Sequence, residues 1–180
     1  NVSFRYRKAG GAWILRNLQL QIPAGQTLAI VGPTGSGKTT LASLLARFYD
    51  PDEGAVRIAG HDLRTVRLSS LRAQVGIVLQ DNFLFTGTVL DNLRYARPGA
   101  SEEEVWAAAR SLGLEERLRD LPDGIRTKVE ERGRNLSAGE RQMVAFIRAL
   151  VVDPRILILD EATSHLDFET EGLLQAALFR

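Results

Sequence analysis

Gly32-Pro33-Thr34-Gly35-Ser36-Gly37-Lys38-Thr39-Thr40 lies between the apolar run Leu28-Ala29-Ile30-Val31 and a stretch with helical spacing that reaches Phe48. A glycine-rich turn between a buried strand and a helix start presents a row of backbone N–H groups, to which the helix dipole draws phosphate. Side chains at Gly35 and Gly37 would keep the phosphate oxygens away. Lys38 is then within reach of the β- and γ-phosphates, and the Thr39 hydroxyl can sit on Mg²⁺. The pattern G-x-x-x-x-G-K-[ST] is complete, with its strand and helix context. It predicts a nucleoside triphosphate site, and an ordinary glycine turn with a chance lysine explains that context poorly.

A second set of candidates closes another apolar strand, Ile156-Leu157-Ile158-Leu159-Asp160-Glu161. In phosphoryl chemistry the first acid holds Mg²⁺, generally through water, and the second orients or deprotonates an attacking water. Alternation would send the two acids to opposite sides, but the strand ends there, so both can turn to the carboxyl edge of a sheet. Alone, such a pair more often marks a solvated strand end or a helix cap. The upstream phosphate loop favours the functional reading. Between these motifs runs Leu136-Ser137-Ala138-Gly139-Glu140-Arg141-Gln142. A Ser hydroxyl and Gly N–H groups at a helix start form another anion site. The same residues also spell a capping box, with Ser137 as N-cap and Glu140 three positions on. The two readings are compatible, and the sequence leaves the matter open.

The elements that must carry these residues follow from periodicity. Val2, Phe4 and Tyr6 alternate, then Leu18, Leu20 and Ile22, which predicts short strands before the turn Pro23-Ala24-Gly25. Thr27–Val31 reads as a central parallel strand. The helix after Lys38 should stop at Asp50-Pro51-Asp52-Glu53-Gly54. Ala55–Ile58 and Val75–Leu79 are further strands. Ser101 reads as the N-cap of a helix over Glu102–Leu112, with three Glu residues in its first turn. Ser137–Val152 is a long helix stopped by Asp153-Pro154, Ile156–Leu159 a strand and Phe168–Phe179 a last helix. The order predicts an α/β fold: a parallel-sheet core over 1–80 and 151–180, with an N-terminal antiparallel β region and an inserted α-helical subdomain over 81–150.

Composition limits the alternatives. The 180 residues suit one domain, with 44% hydrophobic and 25% charged residues, ordinary globular values. A net charge of +1 and no basic run argue against a nucleic-acid face. Without cysteine there are neither disulfides nor thiolate metal sites. No apolar run reaches membrane-spanning length; the longest, Met143–Val152, is broken by Arg148. The chain starts inside a strand pattern without an initiator Met, which predicts that it comes from a longer polypeptide.

Taken with Asp160-Glu161, the segment Leu136–Gln142 resembles the signature motif of ATP-binding cassette ATPases, a branch of the P-loop NTPases, and the resemblance extends over essentially all of the chain. It implies roles for further residues. Tyr6 matches the aromatic that stacks on adenine, where a ring face supplies area without demanding hydrogen bonds. Gln80, in Val78-Leu79-Gln80-Asp81, matches the glutamine that touches Mg²⁺ and the attacking water. Ser164-His165-Leu166-Asp167 matches the loop that crosses to a partner cassette. Thr127–Gly133 and the stretch Asp81–Val89, followed by Asp91-Asn92-Leu93, resemble multidrug- and lipid-type exporters.

The resemblance therefore implies Glu161 as general base, Lys38 as charge stabiliser, and Thr39, Asp160 and Gln80 around Mg²⁺. Ser137, Ala138, Gly139 and Glu140 would reach across to ATP held by a second cassette, either identical or not. A transmembrane domain on the same or another chain would place the assembly at the cytoplasmic face of a membrane. Four residues depart from the usual pattern: Ala138 for Gly, Glu140 for Gln, Glu130 for Gly and His165 for Ala. The family's switch histidine follows a further strand, whereas His61, in Gly60-His61-Asp62, sits in a turn. These points predict a chain whose C-terminal end is missing and which binds ATP far better than it hydrolyses it alone. The alternatives are a soluble ATPase of the same family working on DNA or ribosomes, and a non-hydrolysing regulatory cassette.

Overall fold

The computed structural model describes residues 1–7, 11–79, 82–160, 162 and 168–178. Two compact units follow one another along the chain, Asn1–Val75 and Gly76–Arg180.

In the first unit, β1 (Val2–Phe4) pairs antiparallel with β2 (Leu15–Leu18), placing Val2 opposite Leu18 and Phe4 opposite Leu15 across an irregular register. Val2 and Phe4 form a small core with Leu44, and Leu15, Leu18 and Val56 pack against it. Leu44 belongs to α1 (Lys38–Leu45), which buries Thr40, Ala42 and Leu44. A hairpin of β3 (Arg57–Ile58) and β4 (His61–Asp62) turns at Gly60, and α2 (Leu68–Arg72) follows.

One strand expected from the sequence is not formed. Residues 19–33 contain no strand, and Leu28, Ile30 and Val31 are 45%, 44% and 89% exposed. A run of apolar residues becomes a strand only where neighbours take its N–H and C=O groups and cover its faces. Among the described residues no strand pairs with Thr27–Val31. The alternation at Leu20 and Ile22 fails for the same reason, and both are exposed.

The second unit holds the larger core. β5 (Val75–Val78) pairs with β8 (Ile156–Leu159), and the Asp160 N–H donates to the Val78 C=O at 2.9 Å. That bond sets the carboxyl ends of both strands side by side, the sense of a parallel pair. β6 (Gly87–Thr88) and β7 (Lys128–Val129) form a short antiparallel pair. The helices are α3 (Val89–Leu93), α4 (Glu102–Ser111), α5 (Glu115–Arg119), α6 (Ala138–Val151) and α7 (Phe168–Leu178).

α6 is the centre of this unit. Met143 to Ile147 are all buried, and α3 and α4 pack against the helix. Burial nearly all round is what a core helix requires. Truncating the fully buried Phe146 to Ala should cost about 3–5 kcal/mol, from lost transfer energy and the cavity left behind. α4 begins at Ser101 as its sequence predicts: the Ser101 hydroxyl accepts the Glu104 N–H, and the Glu104 carboxylate accepts the Ser101 N–H. Among the described residues no helix is long and apolar enough to cross a membrane.

Candidate nucleotide site

The phosphate loop is a tight turn, with the Ser36 N–H donating to the Pro33 C=O at 3.1 Å. Gly35 and Gly37 both lie in the left-handed region, at φ +83° and +94°. At Gly35 a β-carbon would meet no protein atom, so what demands glycine within the chain itself is its left-handed conformation. At Gly37 it would also stand 2.9 Å from Leu15 Cδ2. Gly37 is the N-cap of α1; it contributes no side-chain cap, and no acid lies in the first turn. Among the described residues, the N–H groups at the start of the helix therefore have no side-chain acceptor.

Lys38 Nζ donates to the carbonyls of Gly32 at 2.9 Å and Pro33 at 3.2 Å, which draws the ammonium back across the loop. Gly32, Pro33, Thr34, Gly35, Ser36 and Thr39 are exposed, Gly37 and Lys38 are half-buried, and Thr40 faces the core. Tyr6 stands beside the same helix. Its hydroxyl lies 3.1 Å from Thr40 Oγ1, and its ring meets Phe4 and Tyr49 edge-on at 5.1 and 5.2 Å.

In the second unit, Ser137 caps α6. Its hydroxyl accepts the Glu140 N–H at 3.1 Å, and Glu140 Oε2 accepts the Ser137 N–H at 2.7 Å. The capping box left open by the sequence is therefore formed, and the Glu140 carboxylate points at its own helix start. Accepting a bond leaves the Ser137 O–H hydrogen able to donate. Ala138 is the first helical residue and, like Gly139, half-buried; alanine there is favourable to the helix. Arg141 braces the turn from behind by donating to the carbonyls of Leu136 and Gly133. Glu130, at φ −78°, is extended, so a glycine is not needed at that position, and its carboxylate pairs with Arg134.

Asp160 is only 8% exposed at the end of β8, and among the described residues no side chain pairs with its carboxylate. A buried carboxylate is costly without a cation or donors. Gln80, Glu161 and the loop Ser164, His165, Leu166 and Asp167 lie outside the described residues.

Some features escaped sequence reasoning. Phe83, Phe85 and Tyr95 form an exposed aromatic ladder, with Phe83 edge-on to Phe85 at 5.0 Å and Phe85 stacked on Tyr95 at 4.2 Å. Arg148 of α6 donates to the Phe83 carbonyl at 3.0 Å, and burial pulls its pKa below the ordinary guanidinium value. The spacing of Phe83, Phe85 and Tyr95 was the available signal. Gln142 is 1% exposed, and its amide finds no hydrogen-bond partner among the described residues. The contact of Tyr6 with Thr40 has no local signal, being 34 residues apart in sequence.

A profile of the ABC transporter family matches residues 15–164. The chain belongs to the ABC transporter family. It matches that family's ATP-binding domain, with the α/β fold of an exporter cassette. An uncharacterized ABC transporter ATP-binding protein, YknV of Bacillus subtilis (strain 168), is 51% identical over 98% of this chain and 29% of its own length. The ABC multidrug transporter mdr2 of Aspergillus fumigatus is 48% identical over 99% of this chain and 22% of its own length. Among solved structures, a bacterial Atm1-family ABC exporter with ATP bound superposes at a TM-score of 0.92 with 47% identity, over 99% of this chain and 31% of that one. This cassette thus spans less than a third of the relatives it matches.

Proposed function

We propose that this cassette is the motor of an exporter: it binds ATP·Mg²⁺ on Gly32–Thr40, pairs with a second cassette, and drives a transmembrane domain at the cytoplasmic face of a membrane. The observation that carries the reading is the uncapped start of α1, with Lys38 folded over the loop in front of it. An anion is the natural ligand of such a helix start. Tyr6, 51% exposed and in T-shaped contact with Phe4 and Tyr49, offers ring area to the adenine.

The residues assigned to Mg²⁺ fit that ion. A Thr39 hydroxyl, an Asp160 carboxylate and a Gln80 amide are hard oxygen donors, and Asp160 is buried at the end of β8. When bound, the ion would offset charge on the β- and γ-phosphates. Glu161 takes the proton of the attacking water, and Lys38 stabilises charge on the phosphoryl oxygens. Ser137 and Gly139 of one cassette close on the γ-phosphate held by the other, so that ATP joins the two and its hydrolysis parts them. Functionally the chain divides into a nucleotide core, 1–80 and 151–180, and a helical part, 81–150.

The link to a membrane domain rests on the aromatic ladder and on the relatives. Contiguous exposed aromatics mark an interaction surface, and mdr2 and the Atm1-family protein are by name a transporter and an exporter. The test is phosphate release by the full-length protein in lipid vesicles. Glu161→Gln should lower turnover by about 10²–10⁴ while ATP still binds. Turnover unchanged by that substitution would contradict the assignment.

A further inference from the structure

We infer that the Tyr6 hydroxyl and the Thr40 hydroxyl act as a latch that couples recognition of the base to the grip on the phosphates. The inference rests on the proposed nucleotide site and adds a positioning role that stacking alone does not contain. A tyrosine used only for its ring face could equally be phenylalanine. Here the hydroxyl is engaged: it lies 3.1 Å from Thr40 Oγ1.

Thr40 is no neutral anchor. It is buried, at 5% exposure, in the first turn of α1, directly after the Lys38 and Thr39 assigned to the phosphates and Mg²⁺. The ring itself is fixed in two further directions. Phe4 and Tyr49 both meet it at an interplanar angle of 84°. Phe4 is anchored in β1 and in the small core. Three contacts therefore set the position and the plane of Tyr6, while half of its surface stays exposed for a base.

The consequence is a shared geometry. A ring that hinges on the first turn of the phosphate-binding helix places the base plane at a fixed offset from the phosphate loop. Without the hydroxyl bond the ring keeps its area but rotates more freely, and stacking must then also restrict that motion. A merely structural bond would behave differently, since it would stabilise the fold without distinguishing ligands that carry a base from those that do not.

The test is a double-mutant cycle on the full-length protein, read by calorimetry with ATP and with inorganic tripolyphosphate, each with Mg²⁺. Tyr6→Phe should weaken ATP binding about three- to tenfold, the usual net effect of one hydrogen bond, and leave tripolyphosphate affinity unchanged. In a Thr40→Val background the same Tyr6→Phe change should have no further effect on ATP. ATP affinity unchanged by Tyr6→Phe would overturn the latch. So would an equal loss for ATP and tripolyphosphate, or a Tyr6→Phe effect that persists undiminished with Val at position 40. Failure of the underlying site reading has its own mark: the unaltered protein would bind neither ligand.

Discussion

α1 and α6 each begin on a turn assigned to the phosphates of ATP, and they begin in opposite ways. α1 starts from Gly37 in the left-handed region with no side-chain cap and no acid in its first turn. α6 starts from Ser137, with its hydroxyl and the Glu140 carboxylate closing a capping box. α3 and α4 start with the same device, Thr88 with Asp91 and Ser101 with Glu104. The signature turn is thus built like the starts of α3 and α4, whereas α1, like α2 and α5, has no side-chain cap. An uncapped start leaves its donors to an anion. A capped start has already given one of them to its own carboxylate. On the proposed reading, the difference makes the phosphate loop ready to hold ATP within one chain. The signature, on the same proposed reading, exchanges or shares its cap and meets ATP only when a second cassette presents it.

The comparison can be broken most forcefully at Lys38. Lys38→Ala removes the ammonium drawn over the loop by Gly32 and Pro33. ATP affinity should fall about ten- to hundredfold, as for loss of a charge-assisted bond. An unchanged affinity would show that the uncapped helix start alone suffices. Gly37→Ala should follow at about 1–2 kcal/mol in stability of the first unit, because alanine resists the left-handed region and its β-carbon would press on Leu15. Thermal unfolding would measure it, and an unaltered midpoint would mean that the loop relaxes without cost.

On the α6 side the expected effects are smaller. Glu140→Gln keeps the geometry of the box, since Gln also serves at that position, and removes a negative charge where the γ-phosphate would dock. Turnover of the paired cassettes should rise about two- to fivefold, in keeping with the modest worth of one charge at a helix start. A drop in turnover would make the carboxylate itself part of the site. The smallest effect concerns acid. Hydrogen bonds from Thr88 hold the Asp91 carboxyl below its ordinary range, and the Ser101 N–H, followed by Arg97, does the same for Glu104. A depressed folded pKa contributes stability above the unfolded value, and that stability is lost as pH falls through the folded value. The second unit should therefore weaken as pH drops below about 4, with Thr88→Val showing a shallower decline. Denaturant midpoints from pH 7 to pH 3 would show it, and a flat profile would contradict it.

Much of this contrast was legible in the sequence because it is local. The spacing of Gly35, Gly37 and Lys38 is enough to name the loop, and Ser101 with Glu104 enough to name a helix start. The Ser137 and Glu140 pair was readable as a box or as an anion site, and only the placement of the carboxylate decides that the box is formed. What depends on distant partners was not readable. Thr27–Val31 has the composition of a central strand but pairs with none among the described residues. β6 and β7 join two-residue segments about forty positions apart, with no periodicity to announce them. Tyr6 was picked out for its ring, whereas its hydroxyl found Thr40 only through the fold.

The central claim is that the two helix starts engage ATP in sequence, the phosphate loop within one chain and the signature only across a pair. Amide hydrogen exchange under ATP·Mg²⁺ tests it most directly, at protein concentrations spanning the onset of pairing. The account predicts that dilute protein gains protection over Gly35–Thr40 alone, and that Ser137–Arg141 becomes protected only as cassettes pair. Equal protection of both segments in dilute, unpaired protein would contradict it.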